Sequence, residues 1–177
     1  MIYAVSGGIL LLGLAVGRFV TRVPDDDMAP SLLRGDWIVV LPMAPTRGDV
    51  VAVLDPLDPS RWTLRRVETI GGSITYDGGA YVVNGDPEPV LDMGRDEVSL
   101  TLQEGPHLTQ HLTRAVRWEM GDTPVPETSV FLGADARDTA VDSRWWGSMP
   151  VALLQGVVAV RVGVPTHRWR GWVSTTP

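Results

Sequence analysis

The sequence contains no cysteine and no lysine. The first absence excludes disulfides, thiolate metal sites and cysteine nucleophiles. The second excludes every mechanism that needs a lysine amine, because all fifteen basic residues are arginine. Positive charge is also outnumbered: fifteen basic against twenty-one acidic residues leave a net charge of -6. A nucleic-acid backbone, which wants a basic face, is therefore excluded as the main partner. No internal repeat and no low-complexity tract is visible. What is present is a 177-residue chain, 44% apolar and with seven tryptophans, enough for a packed core. That length suits one domain, or one core with an inserted lobe, and is too short for three.

Charge is missing altogether from Ile2 to Gly17, which reads as an apolar helix. Three readings compete for it. A membrane anchor ranks first, although the segment is slightly short of the roughly 20 residues a spanning helix prefers. A cleaved signal peptide ranks second, with small residues at Ala15-Val16-Gly17 but no basic region before the apolar run. A buried core helix ranks third. Arg18 and Arg22 follow the segment, and by the positive-inside rule they favour a cytoplasmic body.

Beyond Pro24 the texture changes to short runs of strand formers between turn residues. Trp37–Leu41 follows the Gly35-Asp36 turn, and Asp49–Leu54 follows Arg47-Gly48. Trp62–Val67 and Tyr81–Val83 come next, the latter ending at the hairpin signal Asn84-Gly85. Fourteen prolines and nineteen glycines, spread evenly, suit an all-β body of short strands. Residues 86–128 are weakly patterned and read as a peripheral lobe or long hairpins.

From Val23 onward a set of ordered blocks resembles the type I signal (leader) peptidases. Val23-Pro24-Asp25-Asp26-Asp27-Met28-Ala29-Pro30-Ser31-Leu32 tracks that family's nucleophile segment. Arg34-Gly35-Asp36 and Arg47-Gly48-Asp49-Val50-Val51 match its Gly-Asp and Arg-Gly-Asp segments, and Leu64-Arg65-Arg66-Val67 falls where it has Lys-Arg-Val. Residues 132–150, with Asp142-Ser143-Arg144 inside them, track its last block, and the Gly156 strand follows. A lone Arg-Gly-Asp carries no information, but this set, in this order, carries a good deal.

That family works through a serine whose proton is taken by a neutral lysine. Residue by residue, the resemblance places Asp27 at the serine position, Arg65 at the lysine position and Ala140 at the supporting serine. Ala134 and Ala136 replace a glycine and an asparagine of the last block. An aspartate carboxylate offers no proton to a base and is a poor nucleophile toward an amide. Arginine, with a pKa above about 12, does not deprotonate in a protein. The chain thus resembles a catalytically degenerate member. Asp27 and Arg65, which touch in the family, are expected to form a bidentate pair. An aspartic dyad of Asp27 with Asp25, Asp26 or Asp135 is the rescue mechanism to weigh, and an adjacent guanidinium opposes it by favouring the charged carboxylate.

Other candidates read more plainly as structure. Asp25-Asp26-Asp27 lacks the spacing of a calcium loop and reads as a solvated turn. His107 and His111 have the spacing of two ligands on one helical face, but the segment is not convincingly helical and no zinc site is expected. Trp145-Trp146 and Trp169-x-x-Trp172 read as core or membrane-surface aromatics. The resemblance implies that Asp135, Asp142, Ser143 and Arg144 are structural at the old site, with Asp142 paired to Arg144. It also implies that Asp27, Met28, Pro30 and Arg65 flank a peptide groove, Met28 at a tip facing the membrane.

The expected fold is therefore mostly β: an antiparallel signal-peptidase-type core of residues 22–74 and 129–165, an inserted β lobe of 75–128, one N-terminal transmembrane helix within 1–21, and a tail of 166–177. The resemblance places the body outside the cytoplasm, against the two arginines. Two functions remain open. One is a non-catalytic membrane protein that binds an extended peptide or partner in protein export or surface-structure assembly, with signal-peptide-bearing chains, an active paralogue or assembly machinery as partners. The other is an active endopeptidase that removes signal peptides. Neither calls for a metal or another cofactor.

Overall fold

The computed structural model describes residues 20–115 and 118–162. In chain order these form β1 (Val20–Arg22), β2 (Trp37–Leu41), β3 (Val50–Asp55), β4 (Asp58–Asp77), β5 (Ala80–Val83), β6 (Asp86–Pro87), β7 (Val90–Arg95), β8 (Ser99–Glu104), β9 (His107–Leu112) and β10 (Met120–Gly133). A short helix α1 (Ser143–Trp146), β11 (Met149–Pro150), a 3₁₀ turn (Val151–Leu153) and β12 (Leu154–Val162) complete them. The mostly β, antiparallel expectation is met. The transmembrane expectation falls on residues that lie almost wholly outside the described ones, apart from Val20 and Thr21, which belong to β1. Among the described residues no helix is long and apolar enough to cross a membrane.

The main sheet runs β1-β2-β12-β3-β4-β10-β11, with β5 and β6 continuing from the far end of β4. Its strands carry the apolar runs legible in the sequence. Val50, Val51, Ala52 and Val53 are all buried because β3 is covered on both faces. One face packs Met28, Leu32, Ile38, Leu64 and Val158; the other packs Val51, Val53, Val67, Val130 and Leu132. A third cluster of Ile74, Tyr76, Tyr81, Val125 and Phe131 sits where β4, β5 and β10 overlap. The Asn84-Gly85 signal forms the β5–β6 hairpin, with both residues at positive φ (54° and 81°), as a two-residue hairpin turn requires.

β7, β8 and β9 make a separate three-stranded sheet. Residue 75 lies within β4 and residue 128 within β10, so both bounds of the expected lobe fall inside long strands of the main sheet. β9 closes back on the loop after β10: Gln110 N–H donates to the Asp135 carbonyl (2.7 Å), and Arg137 N–H donates to the Gln110 carbonyl (2.8 Å). That clasp brings the three-stranded sheet against the segment that carries several of the expected site residues.

Candidate functional site

Three segments converge on Asp27 and Arg65: the turn 24–30 after β1, the middle of β4, and the loop 134–142 between β10 and α1. Backbone bonds set the frame. Ala136 N–H donates to the Asp27 carbonyl (2.9 Å), and Ala140 N–H donates to the Ala136 carbonyl (3.2 Å). The turn consumes two of its own aspartates: Asp25 Oδ1 accepts from Asp27 N–H (3.2 Å), and Asp26 Oδ1 accepts from Arg34 N–H (2.9 Å). Burial, then the neighbouring Asp27 charge, pushes the Asp25 carboxyl above its ordinary pKa.

The Arg65 guanidinium fills the space between these segments. Nη2 donates to Asp27 Oδ2 (2.8 Å) and to the Val141 carbonyl (2.7 Å), and Nε donates to the same carbonyl (3.1 Å). Nη1 donates to Thr63 Oγ1 (2.7 Å) and to the Leu64 carbonyl (2.5 Å). The Trp146 ring lies 5.7 Å from the guanidinium carbon. The expected pair between Asp27 and Arg65 is present, but through one nitrogen rather than two, because the Thr63 hydroxyl and the backbone carbonyls of Leu64 and Val141 take the remaining donors. Arg65 is buried, whereas 29% of the Asp27 side chain stays exposed. Ala134, Ala136 and Ala140 are buried with only methyl groups to offer.

This geometry makes a stability prediction. Arg65→Leu strands the Asp27 carboxylate and the Leu64 and Val141 carbonyls, and should cost about 2–3 kcal/mol of unfolding free energy. The double change Asp27→Ser, Arg65→Lys should cost less, since it keeps a donor and removes the stranded carboxylate. Urea denaturation of the three proteins checks the order, and the reverse order would refute the pairing as a structural element.

Around the site, Asp135, Asp142, Ser143 and Arg144 make the following contacts. Asp142 caps α1 and forms a two-pronged pair with Arg144, with Oδ1 accepting from Nε and Oδ2 from Nη2, both at 2.8 Å. Asp142 Oδ2 also accepts from Ala134 N–H (2.9 Å), while Ser143 Oγ accepts from Leu132 N–H (3.0 Å), so both tie α1 back to β10. Asp135 is fully buried on Arg66, with Oδ1 accepting from Nε (2.8 Å) and Oδ2 from Nη2 (2.6 Å). Burial alone would raise the Asp135 carboxyl, yet the Arg66 charge and hydrogen bonds hold it below the ordinary carboxylate value.

One expectation is corrected. Met28 does not flank a groove; it is fully buried in the core with Leu32, Ile38 and Leu64, while Pro30 is half-buried on the same turn. His107 and His111 share a strand, β9, rather than a helical face. Trp145 is 70% exposed, with its ring parallel to that of Trp118 at 6.0 Å, so it is a surface aromatic. Trp169 and Trp172 lie outside the described residues.

Sequence reading missed a second buried charge cluster. Arg137 is fully buried, donating to Glu68 Oε1 (2.9 Å), to the Ala134 carbonyl (2.9 Å) and to Glu104 Oε2 (2.7 Å), with Tyr81 stacked 4.4 Å from its guanidinium carbon. Gly133 leaves room for it, since a Cβ there would strike the Glu68 carboxylate and come within 2.6 Å of Arg137 Nη1. The partners are separated by 69 and 33 residues, so no local pattern links them.

Comparison with known proteins matches residues 2–163 to the family described as signal peptidase, peptidase S26. The chain belongs to this signal peptidase family. A relative named probable signal peptidase I-1, from Synechocystis sp., is 25% identical over 176 residues, covering 90% of this chain and 80% of its own. A signal peptidase I of Pseudomonas fluorescens is 28% identical over 203 residues, covering 93% of this chain and 70% of its own. A crystal structure of a signal peptidase I from Enterococcus faecalis V583 is 21% identical, with a TM-score of 0.44, covering 67% of this chain and 99% of that one. In this chain an aspartate and an arginine touch at the positions that the sequence resemblance assigns to the serine and the lysine.

Proposed function

We propose that this chain is a non-catalytic signal peptidase homologue that receives an extended peptide by strand addition and serves protein export or surface-structure assembly as a partner rather than as a hydrolase. The observation that carries this reading is the stretch of β4 beside Arg65 that has a strand partner on one side only. β3 pairs with β4 from Trp62 to Arg66, but β10 pairs with it only as far as Arg66. Val67 turns both backbone groups toward the β3 side, bonding to Asp49 and Gly48. By the alternation of an antiparallel ladder, Leu64 turns its N–H and C=O the other way, where no described strand pairs with it. Leu64 is fully buried beneath the Arg65 and Val141 contacts, so an extended peptide reaches this donor and acceptor, at strand spacing, only when the 134–142 loop gives way. The Leu64 carbonyl already accepts from Arg65, and a carbonyl has a second lone pair for a peptide N–H.

The same arginine argues against hydrolysis. Its five N–H groups all point at acceptors, and none can be given up as a base. Residues 1–19 serve in this reading as the membrane anchor, with the body on the outer face and signal-peptide-bearing chains as the peptide class. The competing reading, an active endopeptidase, is favoured by membership of the family over nearly the whole chain.

The two separate in one experiment. The full-length chain in detergent is mixed with a labelled substrate that bears a signal peptide, and binding and cleavage are scored together. Saturable binding without cleavage is the expected result. Cleavage that survives removal of contaminating peptidase and vanishes in Asp27→Ala would overturn the proposal and revive a carboxylate mechanism.

A further inference from the structure

A cavity of about 130 Å³ lies between the β8–β9 turn and β4, away from the Asp27–Arg65 pair. Its wall includes Glu68, Glu104, His107 and Tyr81, with Arg47 and Glu88 among the same lining. The charges do not balance. Arg66 is matched by Asp135 through two hydrogen bonds, and Arg47 by Glu88 at 2.9 Å. Arg137 faces both Glu68 and Glu104, and beyond it Glu104 has His107 Nε2 and His111 Nε2 at 4.0 Å, so a single permanent cation serves two buried carboxylates. His107 does not supply the missing charge, because burial and then the nearby Arg66 push its pKa down to about 3.

Two further groups at this wall have unused hydrogen-bonding capacity. Tyr81 is 2% exposed and its hydroxyl has no hydrogen-bond partner among the described residues. Neither ring nitrogen of His107 has one either, and Nε2 stands 4.0 Å from Glu104 Oε2. A buried carboxylate without a full counter-charge costs several kcal/mol, so such a wall attracts either a proton or a cation. A cavity of this size is too small for a peptide segment and large enough for a single cationic head group on a short stem.

We propose that this cavity is a receptor for one primary ammonium group, held by Glu68 and Glu104 as the cation that Arg137 alone does not provide. An ammonium has three N–H donors and no acceptor, so it matches the Glu68 and Glu104 carboxylates and the unpartnered Tyr81 hydroxyl on this otherwise largely apolar wall. The same head group arises on a free alkylamine and on a lysine side chain of a partner protein. It does not arise on a side chain of a second copy of this chain, which has no lysine.

The test uses the full-length protein in detergent, labelled with ¹⁵N-histidine, titrated with methylammonium chloride at constant ionic strength. Sodium chloride and tetramethylammonium chloride, which has no N–H donor, serve as controls. The expected result is a saturable shift of the His107 ring signals with methylammonium only, and at least a tenfold weaker response in Glu104→Gln. If Glu104→Gln does not fold, Glu68→Gln replaces it with the same expectation. An equal response to sodium or tetramethylammonium, no saturable response, or an unchanged affinity in the folded glutamine variant overturns the proposal. Nα-acetyl-lysinamide distinguishes the sources: binding tighter than methylammonium assigns the site to a partner's lysine, and weaker binding to a free amine.

Discussion

Arg137→Met is expected to lower the unfolding free energy by about 3–5 kcal/mol, the usual cost of removing one member of a buried ionic group. In a chain of this length that corresponds to a fall of roughly 10 °C in melting temperature. The cause is specific. Glu68 and Glu104 are both buried and both donate their charge to the same guanidinium, so the variant leaves two carboxylates facing each other. Glu68 is already held above the ordinary carboxylate pKa by burial, with Arg137 opposing that shift, and losing the arginine raises it further. Methionine fills similar volume, which keeps the effect electrostatic rather than a cavity effect. The triple variant Arg137→Met, Glu68→Gln, Glu104→Gln should regain most of the loss, because no buried charge is then unmatched. Thermal melts of the parent, single and triple variants decide it. If the triple variant is no more stable than the single, the arginine acts through packing with Tyr81 instead of charge.

The second large effect concerns chemistry. The parent chain should show no cleavage of a signal-peptide substrate, whereas the triple change Asp27→Ser, Arg65→Lys, Ala140→Ser should gain it. The difference in rate is expected to reach at least about 10⁴, since a serine with a positioned base replaces a site with neither. The frame favours this outcome: the Asp27 carbonyl is already bonded to Ala136 N–H, and Arg65 already reaches the position-27 carboxylate at 2.8 Å. The restored lysine must also lose its proton near neutral pH. Burial at position 65 disfavours the ammonium, and the nearby Asp25 carboxylate opposes that shift. Activity should therefore rise with pH, and adding Asp25→Asn should move that rise to lower pH. Cleavage by the parent at a rate within tenfold of the triple variant would refute the non-catalytic reading outright.

Much of the frame was legible because its signals are local. Trp37–Leu41 is β2 residue for residue, and Asp49–Leu54 is β3 displaced by one, since runs of β-branched residues between glycine turns encode a covered strand without help from distant residues. Residues 86–128 were legible only as a region. β8 alternates half-buried and buried residues, but the last of its three buried residues, Glu104, gains its charge partner only when Arg137 from the loop after β10 reaches it. Met28 was misplaced for a related reason. The resemblance says which turn it occupies, while the packing of that turn decides which way it points, and here Leu32, Ile38 and Leu64 enclose it.

By itself, then, the amino-acid sequence determined the family-like order of blocks, the antiparallel β character, and the chemical content of the old site: an aspartate, an arginine, alanines, and no lysine anywhere in the chain. These follow from residue identity and short-range pattern, which no fold can alter. Only the tertiary structure decided how those groups are spent. It drew three of the five Arg65 donors to the carbonyls of Leu64 and Val141, so the pair with Asp27 is single rather than double. It also gathered Glu68, Glu104 and Arg137, far apart in sequence, into one buried cluster in which a single arginine faces two carboxylates. The physical reason is the same in both cases: a hydrogen-bond donor or a buried charge takes whatever partner the folded chain brings within reach, and sequence distance says nothing about that reach.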